Sequence, residues 1–140
     1  MQPHAAELAD VHERTAVVAY AHIFDAPFPR ELTQQKWARY PGEVLEHRED
    51  GVLLGFAATD EGRLDALFVL PEHAGRGIGS RLLERAAGVD RLWVLEDNTP
   101  ARGFYERRGW TCTRARRDAF GVQELLYVRV GAPAPAAPPR

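Results

Sequence analysis

Between Pro71 and Leu83 the chain reads PEHAGRGIGSRLL, and this stretch constrains the fold more than any other. A strand-like run, residues 63–70, ends at a proline, and glycines follow at 75, 77 and 79. Ile78, Leu82, Leu83 and Ala86 then recur on one face, with Arg81, Glu84 and Arg85 elsewhere. The spacing predicts a strand, a tight glycine turn and an amphipathic helix over residues 77–87, stopped by Gly88. Glycines there remove the Cβ atoms that would keep a ligand from the backbone, and the first helical turn leaves N–H groups without intrahelical partners. The helix dipole adds roughly half a positive charge and Arg76 a whole one, so the turn suits an anion such as a pyrophosphate. A Walker loop needs a Gly-Lys-Ser/Thr ending, which is absent. A dinucleotide fingerprint would put its third glycine on Ser80, and no βαβ unit leads into it.

The remaining elements are placed around that turn. Leu8, Val11, Ala16, Val18 and Ala19 recur loosely at helical spacing over residues 5–20. Pro27 and Pro29 break the chain, residues 31–39 make a short second helix, and Pro41-Gly42 a turn. Residues 43–47, 52–59 and 63–70 read as consecutive strands joined by turns at Glu49-Asp50-Gly51 and Asp60-Glu61-Gly62. Residues 91–95 form a short buried strand, and Thr99-Pro100 supplies an N-cap and first-turn proline for a helix ending at Gly109. Residues 110–117 and 122–130 are strands around a turn at 118–121. The expected order is ααβββαβαββ, an α+β fold with a mixed central sheet flanked by helices. GAPAPAAPPR, residues 131–140, reads as a disordered tail, which leaves one domain over residues 1–130.

Composition narrows the function. Of 140 residues 45% are hydrophobic and 27% charged, with a formal charge of −2, so a general phosphate-backbone binder is disfavoured and no nucleic-acid partner is expected. No apolar run approaches the roughly 20 residues that cross a bilayer, and residues 1–10 lack the features of a signal peptide. The expectation is a cytoplasmic protein with no membrane partner. Cys112 is the only cysteine, and His12, His22, His47 and His73 have no metal-ligand spacing, so neither an internal disulfide nor a metal is expected. Lys36 is the only lysine among eighteen basic residues, a bias from which no function is drawn.

VLPEHAGRGIGSRLL followed by LWVLEDNTPARGFYERRGW resembles the GNAT superfamily of N-acetyltransferases. The likeness extends over residues 5–130 and is sharp over residues 63–110. It implies a GNAT-like sheet whose usual first strand is absent or very short, since only residues 1–4 precede the first helix. It implies acetyl-CoA as cosubstrate and an amine acceptor, small-molecule or peptide. Phe68, Val69 and Leu70 would offer backbone groups to the pantetheine arm, and the amides of Gly75, Arg76, Gly77, Ile78, Gly79 and Ser80 would hold the pyrophosphate. Ala74 stands where relatives place Gln or Arg at the opening of that loop. Asn98 would bond the pantetheine or a neighbouring loop, or simply cap the helix. Tyr105 would sit near the sulfur, unless it is a core aromatic beside Phe104.

The chemistry agrees with these assignments. An alkyl ammonium of pKa near 10 must lose a proton before attacking a thioester, and a phenol of similar pKa is a competent acid toward the departing thiolate. The family's strand Glu is matched here by Arg63, so the base is sought in a water relay through Asp65, two residues on and on the same face, or through Glu96 or Glu124. Phe24, Phe28, Trp37 and Tyr40 are expected as aromatic walls of the acceptor site, with Asp25, Glu31 and Glu124 to attract a cation. The alternative is an acyl-CoA-binding sensor or assembly module without turnover. A homodimer through a sheet edge is compatible with the sequence.

Overall fold

The protein is described by a computed structural model covering residues 3–23 and 29–129. Phe24, Asp25 and Phe28, and the expected tail at 131–140, lie outside the described residues. Helices α1 (Ala5–Ala19) and α2 (Arg30–Ala38) precede strands β1 (Glu43–Glu49), β2 (Val52–Asp60) and β3 (Arg63–Val69). A 3-10 turn at Pro71–His73 leads into α3 (Ile78–Arg85), β4 (Arg91–Leu95), α4 (Thr99–Glu106), β5 (Trp110–Ala119) and β6 (Val122–Arg129). The ααβββαβαββ order is the expected one. Among the described residues no strand precedes α1, which is entered through a turn at Pro3 and His4.

The six strands form one mixed sheet in the order β1-β2-β3-β4-β6-β5. Its three hairpins use two-residue turns, Asp50-Gly51, Glu61-Gly62 and Phe120-Gly121, with positive φ at both positions in each, as the twist of antiparallel strands favours. This lets β1 run to Glu49 and β5 to Ala119, two residues beyond the expected ends. At α4 the cap is Asn98 rather than Thr99: its Oδ1 accepts from the Ala101 N–H at 3.4 Å. Val18, expected on the apolar face of α1, is 62% exposed, and the helix is anchored instead by Leu8, Ala9 and Val11.

β3 and β4 are the one parallel pair, joined through α3, and they pair only at Arg63↔Arg91 and Leu64↔Leu92. The next residue of β3, Asp65, is a bulge: Ala66 faces Ala58 and Leu64 faces Thr59, so Asp65 has no partner in β2. A bulge bends its strand and increases the local twist, and here it marks the point where β3 leaves β4. β4 stays paired with β6 along its whole length, so the sheet opens into two wings, β1-β2-β3 and β4-β6-β5. Neighbouring residues of β3 point to opposite faces. Phe68 stacks on His12 of α1, whereas Val69 Cγ2 lies 3.8 Å from the position of a Cβ on Gly79 of α3, so α1 and α3 cover opposite faces of the sheet. Trp37, Phe56 and Tyr127 are fully buried.

The approach of β2 to the free end of β3 depends on Gly55. A Cβ there would lie 2.7 Å from the Phe68 carbonyl oxygen and 3.3 Å from Val69 Cα, both main-chain atoms that cannot swing away. Gly55→Ala is expected to cost about 1–3 kcal/mol in urea denaturation through overpacking alone. A wild-type midpoint would contradict the packing described.

Candidate active site

The opening between the two wings is a cleft of about 570 Å³, roofed by α1 and α2 and lined by residues 64–68 of β3, 92–95 of β4, the start of α4, Tyr105 and the tip of the β5–β6 hairpin. Beyond Leu64 the edge of β3 has no ladder to β4. The Leu70 N–H donates to the Leu54 carbonyl at 2.8 Å, so by antiparallel alternation the main chains of Phe68 and Leu70 face β2, and those of Leu67 and Val69 face the opening. Of the three residues expected to offer backbone groups there, only Val69 does so, and Leu67 joins it. The Val69 carbonyl already accepts from the Thr15 hydroxyl of α1 at 3.3 Å. Phe68 contributes its ring to the cleft instead.

The glycine turn lies on the α3 side. Gly75 and Gly77 have φ of 81° and 83°, and a Cβ on either would meet nothing within 4 Å, so the loop presents bare main chain to open space. Among the described residues, no hydrogen bond is donated by the N–H groups of Gly75, Arg76, Gly77, Ile78, Gly79 or Ser80. Ile78, 1% exposed, pins the helix beneath them. Ala74 differs from the rest of the turn, since its N–H is bonded to the Pro71 carbonyl at 3.2 Å. Arg76 is not the free cation expected: it makes a bidentate ion pair with Glu49 of β1 at 2.9 and 3.0 Å and a contact to His73 Nδ1 at 2.9 Å. The loop's attraction for an anion therefore rests on its amides. The Ser80 hydroxyl accepts from Arg108, whose guanidinium lies 3.7 Å above the Phe104 ring.

Tyr105 lines the cleft and is 8% exposed, with the rings of Phe104 and Trp110 edge-on at 5.4 and 6.0 Å. Burial raises its pKa well above 10, helped by Tyr20, so the phenol holds its proton throughout the physiological range. Tyr20, also in the cleft, is raised to about 12 by desolvation and by the charge of Glu124. Asn98 lines the same wall while capping α4.

The three candidate bases differ in position. Asp65 is in the cleft, but both its oxygens are held, Oδ2 by the Tyr40 hydroxyl at 2.7 Å and Oδ1 by Arg63 Nε at 2.5 Å. Glu96 pairs with Arg116 at 2.9 Å and does not line the cleft. Glu124 does line it, and among the described residues only its Oε1 is engaged, by Arg117 at 2.7 Å. Trp37 and Tyr40, expected as acceptor-site walls, are buried at 0% and 8% exposure and belong to the core.

His12 and Lys36 are the residues that sequence reasoning passed over. The Trp37 indole N–H donates to His12 Nδ1 at 3.0 Å, and the imidazole stacks on Phe68 at 4.6 Å. An accepting Nδ1 puts the proton on Nε2, so His12 is a neutral donor in the cleft it lines. Burial, with the charge of Lys36 adding to it, lowers its pKa to about 4. Nothing in the spacing of His12 announces this, because its environment is created by α2 and β3, distant in sequence. Among the described residues no group of three or more metal-ligating side chains occurs, and no helix is long and apolar enough to cross a membrane.

A family model described as "Acetyltransferase (GNAT) domain" matches residues 41–112. An uncharacterized N-acetyltransferase of Archaeoglobus fulgidus is 33% identical over 116 residues, which cover 66% of this chain and 79% of that protein. The peptidyl-lysine N-acetyltransferase YiaC of Escherichia coli is 42% identical over 66 residues, 44% of this chain and 45% of that protein. The crystal structure of the PaiA N-acetyltransferase of Thermoplasma acidophilum in complex with coenzyme A superimposes with a TM-score of 0.67 at 20% identity, covering 90% of this chain and 92% of that one.

The depressed pKa of His12 has a stability consequence. The unfolded chain takes up a proton near pH 6.5 and the folded one only near 4, so folding stability is complete above 6.5 and is lost as pH falls toward 4. Between pH 7 and 5 the loss is expected to be about 1–2 kcal/mol in denaturant titrations, and His12→Gln should flatten most of that slope. An equal slope in the variant would show that the imidazole is not held neutral.

Proposed function

The chain belongs to the GNAT acetyltransferase family, and from that premise we propose that its cleft transfers an acetyl group from acetyl-CoA to a primary amine by direct attack, with Tyr105 as the acid. The observation that carries this is the coincidence of two features at the split of β3 from β4. On one face stands a loop of six unengaged amides, and in the cleft between the wings stands a buried, protonated phenol.

The fit of the donor to these residues is chemical. A diphosphate needs several converging N–H donors and no Cβ in the way, which residues 75–80 offer. A pantetheine arm carries amides that pair with strand main chain, which Leu67 and Val69 offer on the free edge of β3, the latter in exchange with Thr15. Bound there, acetyl-CoA supplies the activated acetyl group. Tyr105, which burial keeps protonated, gives its proton to the departing thiolate. Glu124, the cleft carboxylate whose Oε2 has no partner among the described residues, draws in the ammonium and accepts its proton directly or through water. Asp65 fixes Arg63 and Tyr40 and so holds the mouth of the split rather than taking a proton. Asn98 sets the start of α4 and thereby the direction of Tyr105. A peptide lysine is the favoured acceptor class, by analogy with YiaC.

Two measurements test the assignment. Tyr105→Phe should lower kcat roughly a hundredfold with a broad amine panel while leaving KM for acetyl-CoA within about threefold. Gly77→Ala, which forces an alanine into a left-handed backbone at a cost of about 1–2 kcal/mol, should weaken acetyl-CoA affinity roughly tenfold by calorimetry. Saturable acetyl-CoA binding with no thiol release from any amine would favour the binding module without turnover.

A further inference from the structure

Lys36 is the only lysine of the chain, and α2 places it on the wall of the same cleft as Tyr105, Glu124 and Asp65. Lys36 is exposed, and among the described residues it makes no ion pair; its ammonium lies 5.2 Å from the centre of the Trp37 ring. The charges around it are those of the cleft: Asp65 and Glu124 act on it, and it acts on His12. A lone alkylamine thus stands in the chamber that the reading above assigns to an alkylamine substrate, on the walls of the same cleft as the carboxylate and the phenol assigned to its chemistry.

We propose that Lys36 is an acyl acceptor of its own cleft, the protein acetylating itself there when acetyl-CoA is bound and no other amine is present. The inference rests on the acetyltransferase reading and adds to it a modification site on the protein itself. The Lys36 ammonium first releases one proton to Glu124 or water. The amine nitrogen then bonds to the thioester carbonyl carbon, the C–S bond breaks, and the sulfur leaves with the electron pair. The second nitrogen proton ends on that sulfur through Tyr105. The products are an amide, free CoA thiol and one proton. Desolvation lowers the pKa of Lys36, which enlarges the fraction present as free amine. The arginines do not compete, because a guanidinium stays protonated at any working pH. The remaining alkylamine on the chain is the N-terminal one, which peptide mapping separates from Lys36.

The test is intact mass and tandem mass spectrometry of the full chain incubated with acetyl-CoA and no acceptor, beside the same chain unfolded in urea. The expected result is a gain of one acetyl group on Lys36, roughly tenfold or more faster in the folded protein. Its rate constant should be independent of protein concentration, and the gain should be lost in Lys36→Arg. Acetylation no faster than in the unfolded chain, a modification mapped to the N-terminus, a gain surviving in Lys36→Arg, or a rate proportional to protein concentration would each overturn the proposal. Wild-type protein with added alkylamines is assayed for thiol release in parallel. Release there with Lys36 unmodified defeats self-acetylation alone, whereas no release in either arm defeats the acetyltransferase reading as well.

Discussion

One extra residue, Asp65, sets the architecture of the site. Because it has no opposite number in β2, β3 turns away from β4 one residue after their last hydrogen-bonded pair, and a continuous sheet becomes two wings. A wedge-shaped void in a sheet strands main-chain N–H and C=O groups that burial makes expensive to leave unpaired. The fold answers in two ways at this edge. Thr15 lends its hydroxyl to the Val69 carbonyl, and the space remains open enough for a ligand or water to meet the rest. Arg63 and Tyr40, clamping the two Asp65 oxygens, keep the bend from relaxing back into regular pairing.

The charges in and around this void are arranged so that few are free. Arg76 is locked to Glu49, Asp65 to Arg63, and Glu124 is half-engaged by Arg117, while His12 and both cleft phenols are driven by burial toward their neutral forms. Such a site binds through dipoles and amides more than through net charge, and its polarity is already oriented before a ligand arrives. That preorganisation is the condition under which fixed donors stabilise developing charge most effectively.

Much of this was legible in the chain and some was not. The strand–glycine–helix stretch and the Asn98-to-Gly109 block carry local signals, turn glycines, a proline in a first helical turn and an apolar face on α3, and each landed within a few residues of its place. Hairpin ends shifted because a positive φ at Asp50, Glu61 and Phe120 allows two-residue turns where longer ones were read. What local pattern could not carry was anything decided across the sheet. The bulge at Asp65, the pairing of Arg76 with Glu49 27 residues away, the facing of Leu67 rather than Phe68 toward the opening, and the tautomer of His12 set by Trp37 all depend on register and on helix placement. Trp37 on α2 and Tyr40 just beyond it face the core for the same reason: aromatic composition does not say which side of a segment is buried.

The free margin of β3 has a further meaning. An unpaired strand edge is a template onto which foreign chains can add, and proteins usually guard such edges with lysines, prolines or charged side chains turned inward. This one is guarded by depth: it lies at the bottom of a crevice with α1 and α2 above it, so a passing strand has no approach. Anything that peels α1 from the sheet, whether truncation, heat or acid acting on the imidazole beneath it, uncovers a sticky seam, and polymerisation through that seam is then the natural failure mode of the molecule.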